Sequence, residues 1–117
     1  MAIDLTHLLK VIIETAREMK ATNPVILDLR EVCNFTDYFV IMSAETEIQR
    51  RAIAREIHEK LKRRNIVPLS RESAQSSNWL IHDYVDVVIH IFSPELRVYY
   101  NLEQLWGDAQ VVEIACR

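Results

Sequence analysis

Residues 79–92 read WLIHDYVDVVIHIF and contain two short runs of apolar, aromatic and β-branched side chains. Residues of these types favour β-strands, so the sequence predicts one strand over 79–83 and a second over 86–92. Only Tyr84 and Val85 separate the two runs, which indicates a tight connection. The segment is therefore expected to form a β-hairpin.

Three more segments of the chain read as strands. Residues 25–29 are a short apolar run, and residues 38–43 (YFVIMS) combine aromatic and β-branched side chains. Residues 66–70 (IVPLS) also have the composition of a strand, and Pro68 places it at a sheet edge because proline cannot donate a ladder hydrogen bond. The small, polar residues 71–78 that follow are expected to form a loop.

Two helices are predicted in the first half of the chain. Apolar side chains recur at helical spacing over residues 4–20. Asn23-Pro24 is expected to end that helix, because proline disfavours helical geometry in the residue before it. Thr46 and Gln49 have the spacing of a capping box, which predicts a second helix that runs to about Arg64.

A third helical region is predicted near the C-terminus. Ser93-Pro94-Glu95 combines a capping serine, a proline at the first helical position and an early carboxylate. Asn101 and Gln104 have the spacing to restart the helix, and Gly107 is placed to stop it. The short apolar run 111–114 fits either a strand or a packed extension.

The predicted order of elements is α-β-β-α-β-β-β-α. This order fits an α/β fold with a single mixed β-sheet of about five strands covered by helices. The sequence has 117 residues and shows no internal repeat or linker, so residues 1–117 are expected to form one domain.

The composition excludes several classes of function. Gly107 is the one glycine, which excludes the usual glycine-rich Walker and Rossmann phosphate loops. The 14 basic and 17 acidic residues give a net charge of −3, which argues against bulk electrostatic capture of nucleic acid. Cys33 and Cys116 cannot build a disulfide framework or a four-cysteine zinc site, and they indicate free thiols in a reducing compartment. Neither a membrane-length apolar run nor a signal-like N-terminus is present, so a cytoplasmic protein is expected.

Four aspartates keep an enzymatic alternative open. Asp83 and Asp86 flank the predicted hairpin turn, Asp28 lies near the end of a strand, and Asp37 is the fourth. A two-metal site for phosphoryl transfer would need such carboxylates on one face. Residues three apart on a strand point to opposite faces, and no glycine-rich phosphate loop accompanies them. A structural or binding role is therefore favoured, with no metal and no cofactor.

The histidines and the basic residues also have two interpretations each. His82 and His90 lie on adjacent predicted strands and would form part of a zinc site if they faced each other, but such a site needs three or four ligands. His90 is interpreted as a packed, hydrogen-bonded core histidine. Half of the basic residues lie from Arg50 to Arg64, which is typical of a solvated helix face, with RNA contact as the alternative.

Trp79 opens a mostly apolar strand directly after a polar segment. Such a tryptophan fits either the core or an exposed anchor of a binding surface, where tryptophan and tyrosine are over-represented. With Ile81, Asp83 and Tyr84 it would form an aromatic centre with an acidic rim. That arrangement suits a basic protein partner.

Three motifs occur together in this chain: FTDYFV at 35–40, DVVIHIF at 86–92 and LWGDA at 105–109. With these motifs in this order and spacing, the chain resembles the ribosomal silencing factors, also called the Iojap family, over nearly its whole length. The resemblance implies a mixed α/β domain that is similar to nucleotidyltransferases but lacks their active site.

The resemblance also implies a function without catalysis. Members of the family bind the large ribosomal subunit through ribosomal protein fourteen and sterically block joining of the small subunit, which represses translation. Free members often form homodimers. Apart from the resemblance, the basic residues Arg50–Arg64 leave open a secondary contact with rRNA, and with it the alternative of a ribosome assembly factor that binds RNA. No membrane is involved.

The binding residues of the family can be carried over to the predicted hairpin. Trp79 matches the family tryptophan, Asp83 and Tyr84 match an Asp-Tyr pair, and Asp86 matches the aspartate that opens the next strand. The resemblance therefore implies a partner-binding set that also includes two apolar positions: Trp79, Leu80, Ile81, Asp83, Tyr84 and Asp86.

One departure from the family pattern affects the hairpin turn. The family usually has glycine where this chain has Val85. Because a β-branched residue strongly disfavours positive φ, a mirror-image hairpin turn is not expected here. The sequence predicts either a different turn or a shifted register between the two strands.

Overall fold

The computed structural model describes residues 4–74, 76–107 and 109–112. Its elements in chain order are α1 (Leu5–Glu18), β1 (Thr22–Asp28), β2 (Tyr38–Ser43), α2 (Glu47–Lys62), β3 (Ser70–Ala74), β4 (Trp79–Asp83), β5 (Val87–Phe92), α3 (Pro94–Tyr100), α4 (Leu102–Leu105) and β6 (Gln110–Val112). The predicted order is present, and a short fourth helix and a sixth strand follow it. Cys116 and the last two residues of the run 111–114 lie outside the described residues.

The six strands form one sheet in the spatial order β3-β4-β5-β2-β1-β6. The central pair β2 and β5 is parallel, whereas the neighbouring pairs on either side are antiparallel. The predicted mixed α/β fold with a single sheet is therefore confirmed, with six strands rather than about five. In the described part of the chain, no helix is long and apolar enough to cross a membrane.

The two faces of the sheet are covered differently. Helices α1 and α2 pack on the face that we call the helix-covered face, where Ile12, Ile53 and Ile57 are almost completely buried. Burial of each such side chain contributes about 1.5–3 kcal/mol. The other face, called the aromatic face, packs against Leu96, Tyr100 and other side chains of the α3–α4 region. Each strand therefore sends alternate side chains into two separate cores.

The prediction of a strand at 66–70 is wrong in its position. Residues 66–69 lie outside any strand, and β3 instead occupies Ser70–Ala74, within the segment predicted to be a loop. The antiparallel ladder places Glu72 opposite Ile81 of β4. Because β3 is an edge strand with largely exposed side chains, backbone pairing rather than apolar alternation determines its position.

The predicted end of the first helix is also wrong. Helix α1 stops at Glu18, and Lys20 adopts the left-handed conformation with a φ of 63°. Pro24 lies within β1, next to an irregularity in its pairing with β2. The proline thus lies at an irregularity in the pairing of β1 instead of ending the helix, and such irregularities are places where sheets tolerate proline.

Helix capping follows the sequence predictions closely. Thr46 Oγ1 accepts a hydrogen bond from the Gln49 N–H at 3.1 Å, and α2 follows. The Gln49 side-chain amide donates to the Lys20 carbonyl at 3.3 Å, so it connects α2 to the end of α1. At the second predicted box, Asn101 Oδ1 accepts from the Gln104 N–H at 3.3 Å. The local signals for these two helix starts are confirmed.

The β4–β5 hairpin keeps a regular register but has a strained turn. Asp83 lies opposite Val88, and Val85 adopts a φ of 74°. The Asp86 N–H donates to the Tyr84 carbonyl at 2.9 Å, which closes a three-residue γ-turn around Val85. Of the two predicted alternatives, a different turn is present and a shifted register is not, but Val85 takes the positive φ that its β-branch disfavours. The hairpin imposes this conformation at a cost of roughly 1–2 kcal/mol.

Candidate functional site

Trp79 lies half-buried on the aromatic face, at the start of β4. Its ring stacks on Phe92, with centroids 5.0 Å apart, and packs at 4.8 Å against Tyr100. The indole N–H donates to His90 Nδ1 at 3.1 Å. These contacts hold the indole against the core, and the side chain keeps part of its surface exposed.

His90 helps to orient Trp79 by accepting the indole hydrogen bond. The imidazole is buried, and burial lowers the pKa of His90 to about 4. It is therefore neutral at pH 7, so that Nδ1 can accept the indole proton. The prediction of a packed, hydrogen-bonded core histidine is confirmed. His90 lies opposite Ile81 and His82 lies opposite Ile89, so the two histidines occupy opposite faces and do not meet.

Aromatic rings form a continuous belt across this face. From Trp79 the contacts run through His90 to Phe39, whose centroid is 4.5 Å from the imidazole. They continue to Trp106 and Phe35 at 6.2 and 6.3 Å. On the other side of Trp79, the contacts continue to Phe92, Tyr100 and Tyr99. We call the whole set of rings the aromatic belt: Phe35, Phe39, Trp79, His90, Phe92, Tyr99, Tyr100 and Trp106.

The two ends of the aromatic belt are exposed. Phe35 is 66% exposed and Tyr99 is 77% exposed. Sequence analysis included neither residue in the binding set, because Phe35 precedes a strand and Tyr99 occupies a short helix. Their signal in the sequence was the aromatic type itself, since large exposed rings are typical of binding surfaces.

The predicted binding residues divide between the two faces of β4. Ile81 and Asp83 are half-buried and share the aromatic face with Trp79, as strand alternation requires. Leu80 is buried in the core of the helix-covered face. Tyr84 is also buried there, and burial raises its pKa to about 12. The expectation that Tyr84 forms part of an exposed aromatic centre is therefore wrong.

The acidic residues of the hairpin have separate structural roles. Asp83 Oδ1 accepts the Val85 N–H at 2.8 Å and so stabilises the strained turn. Asp86 is exposed, and its main-chain carbonyl accepts the N–H groups of Asp37 and Tyr38 at the start of β2. Both carboxylates lie at the same end of β4, where they form an acidic margin to the aromatic face.

The four aspartates are not gathered into a metal site. The Asp28 carboxylate accepts two hydrogen bonds from the Arg30 guanidinium, which lowers the pKa of Asp28. Within residues 4–74, 76–107 and 109–112, no group of three or more His, Cys, Asp or Glu side chains is arranged to hold a metal ion. The described geometry therefore offers no support for the alternative based on Asp83 and Asp86.

The basic segment of α2 is not a uniform charged face. Arg50 is buried, and its guanidinium donates to the carbonyls of Ala44, Glu45 and Ser77 and to Asn78 Oδ1. This network joins α2 to the segment before Trp79. The first arginine of the predicted RNA-binding run is therefore a structural residue.

The chain is similar to known proteins over nearly its whole length. Residues 2–116 match the sequence model of a family described as "Ribosomal silencing factor during starvation". The chain is 35% identical over 108 residues to the ribosomal silencing factor RsfS of Halalkalibacterium halodurans, with 92% of each chain covered. It is 34% identical to the Bacillus subtilis protein of the same name, with 92% of this chain and 91% of that one covered. A crystal structure of a Chromobacterium violaceum protein matches with a TM-score of 0.85 and 26% identity over 98% of this chain and 95% of that one.

Proposed function

The chain belongs to the ribosomal silencing factor family, and from this premise we propose that it binds ribosomal protein fourteen on the large ribosomal subunit and blocks joining of the small subunit. The observation that carries the proposal is the half-buried Trp79, which lies in the aromatic belt beside Ile81 and Asp83. The contact residues are Trp79, Ile81, Asp83 and Asp86. Leu80 and Tyr84 contribute indirectly, because they pack in the core and hold β4 and its turn in position.

The chemistry of this surface suits a basic protein partner. A tryptophan whose indole N–H is already bonded presents a rigid apolar ring, so little entropy is lost when a partner covers it. At the other end of β4 from the ring, Asp83 and Asp86 supply negative charge, which favours association with Lys and Arg side chains and speeds the encounter. Aromatic anchors with a polar rim are the usual arrangement of a binding hot spot.

The proposed mechanism requires occupancy and no chemical step. A domain of about this size on the surface of one subunit excludes the other subunit from the same space. Relatives are named as silencing factors, and we infer that this chain likewise acts without catalysis and without a cofactor. We also infer that residues 1–117 act as a single domain in the cytoplasm, and that the free chain forms a homodimer.

Sedimentation of isolated ribosomal subunits in Mg²⁺ that favours joining tests this proposal. We expect the chain to travel with the large subunit and to reduce the joined fraction. Asp86→Lys should weaken both effects, because it places positive charge against a basic partner. Glu59→Lys makes the same charge change at an exposed position on α2, which covers the opposite face of the sheet, and should behave as the parent chain.

The variant Trp79→Ala tests the anchor itself. If the ring is central to the interface, its loss should weaken binding by about 2 kcal/mol or more. Circular dichroism and urea unfolding must first show that the variant is folded, since the ring also packs on Phe92. Undiminished affinity in a folded variant would contradict the proposed site.

A further inference from the structure

A groove lies on the opposite side of β4 from Trp79, between α2 and the β3–β4 pair. Its volume is about 500 Å³, and Leu80 forms part of its floor. Three arginines line it, Arg51 and Arg55 from α2 and Arg71 from β3, and we call it the arginine groove. Its size is within the range of small-molecule sites, which hold roughly 300–1,000 Å³.

Two of the three arginines are not held in an ion pair within the described part of the chain, although Glu59 borders the same groove. Arg51 donates to Glu47 and to the Ser77 hydroxyl. Arg55 and Arg71 make no hydrogen bond and no ion pair with any residue in the described part of the chain. Two guanidinium groups that face the same space repel each other, so an anion placed between them would be attracted to both. This local positive charge occurs in a chain whose net charge is −3.

Two imidazoles, His58 and His82, add hydrogen-bonding groups to the groove. Burial, and to a smaller extent the nearby Arg71 and His58, lower the pKa of His82 to about 4, so that it is neutral at pH 7. His58 Nδ1 is buried and has no hydrogen-bond partner among the described residues. Arg71 lies opposite His82 in the β3–β4 ladder, so both side chains are on the groove side of the sheet.

The mixed lining points to a particular class of ligand. Guanidinium groups bind phosphate with two parallel hydrogen bonds, which matches Arg55 and Arg71. Glu59 borders the same space, and its carboxylate can accept hydrogen bonds from hydroxyl groups. A bare phosphate would leave this acceptor and the apolar floor unused. We propose that the arginine groove binds the phosphate and sugar of a ribonucleotide, either a free nucleotide or a nucleotide within an RNA chain.

Nuclear magnetic resonance of the imidazole groups tests this proposal on the full chain. Adenosine monophosphate, adenosine and inorganic phosphate are each titrated at constant ionic strength, and a short single-stranded RNA is titrated separately. We expect adenosine monophosphate or the RNA to shift the His82 resonances and to raise its pKa, because a bound anion offsets the charge of Arg71. Adenosine, which lacks the phosphate, should bind more weakly than its monophosphate.

Matched variants separate a specific site from general attraction to positive charge. Arg55→Gln and Arg71→Gln should each weaken binding by about tenfold, since each removes charged hydrogen bonds to the phosphate. Arg63→Gln removes the same charge from an exposed position outside the groove lining and should leave affinity unchanged. All three residues are exposed, so the variants are expected to fold, and urea unfolding verifies this.

Each outcome decides the proposal. Binding of the mononucleotide that depends on Arg55 and Arg71 supports a free nucleotide as the ligand. Binding of RNA alone with the same dependence supports a nucleotide within a chain. If neither ligand shifts His82 at millimolar concentration, or if Arg63→Gln weakens binding as much as Arg71→Gln does, the proposal is overturned. Ribosome sedimentation is unaffected by either result, because the groove and Trp79 occupy opposite sides of β4.

Discussion

Replacement of Val85 by glycine should stabilise the fold. Val85 has a φ of 74° at the centre of the hairpin γ-turn, and a non-glycine residue in this region costs roughly 1–2 kcal/mol. Glycine avoids that cost but loses about 0.4–1 kcal/mol more backbone entropy on folding. The Val85 side chain is 54% exposed, so its removal forfeits few contacts. The expected balance is a stabilisation of about 0.5–1 kcal/mol.

Thermal and urea unfolding measure this balance directly. For a domain of this size, the expected rise in Tm is about 2–5 °C. Val85→Ala is the matched control, because it removes most of the same side chain but keeps a Cβ atom at positive φ. The alanine variant should therefore gain less stability than the glycine variant.

The comparison between the two variants can refute the reasoning. If Val85→Gly is no more stable than Val85→Ala, the turn stores no conformational strain that glycine relieves. A second readout concerns the proposed contact surface, since the turn positions Asp83 and Asp86. Ribosome binding by Val85→Gly should equal that of the parent chain if the turn keeps its geometry.

Three further predictions concern stability and binding. Burial lowers the pKa of His90 from 6.5 to about 4, so the unfolded chain binds the proton first. The contribution of His90 to stability is present above pH 6.5 and falls by about 3 kcal/mol as the pH drops to 4, and His82, whose pKa is also lowered to about 4, adds to the loss. Urea midpoints at pH 7 and 4.5 measure this loss, and His90→Phe should reduce it. Arg50→Lys should cost about 3 kcal/mol in urea unfolding, because an ammonium group cannot reach the four acceptors of the buried guanidinium, and a parent-like midpoint would contradict this role. Phe35→Ser should change stability by less than about 0.5 kcal/mol, because the ring is exposed, yet weaken cosedimentation with the large subunit; equal cosedimentation would remove this end of the aromatic belt from the contact.

The elements that the sequence predicted correctly carry strong local signals. Strand β2 is a dense run of aromatic and β-branched residues, and it is buried along its whole length. Helix α2 begins after Thr46, whose side chain caps it as the capping spacing indicated. Strand β3 carries no such signal. Its residues are polar, and it is a strand because β4 offers a free edge for backbone pairing.

The candidate site shows the same limit at the level of single residues. Aromatic type and position left Trp79 open to a core or a surface role, and the family resemblance selected it for the binding set; neither showed that its indole N–H is bonded to His90. Tyr84 is also of a residue type that is common at binding surfaces, and it is nevertheless buried in the core with side chains of α1 and α2. Strand alternation distinguishes the faces of β4, but only the packed helices determine which face is closed.

By itself, the sequence determined the element types, the hairpin and the family, because propensity, capping and motif spacing act over a few neighbouring residues. The tertiary structure alone decided which side chains of β4 remain accessible, and it opened the arginine groove between two elements that are distant in the chain. It also held Val85 at positive φ. In each case the cause is the free energy of packing and pairing between segments that are distant in the chain. This free energy exceeds the local conformational preference of a residue by a few kcal/mol. Such contacts between distant segments leave no pattern in the neighbouring sequence from which they could be predicted.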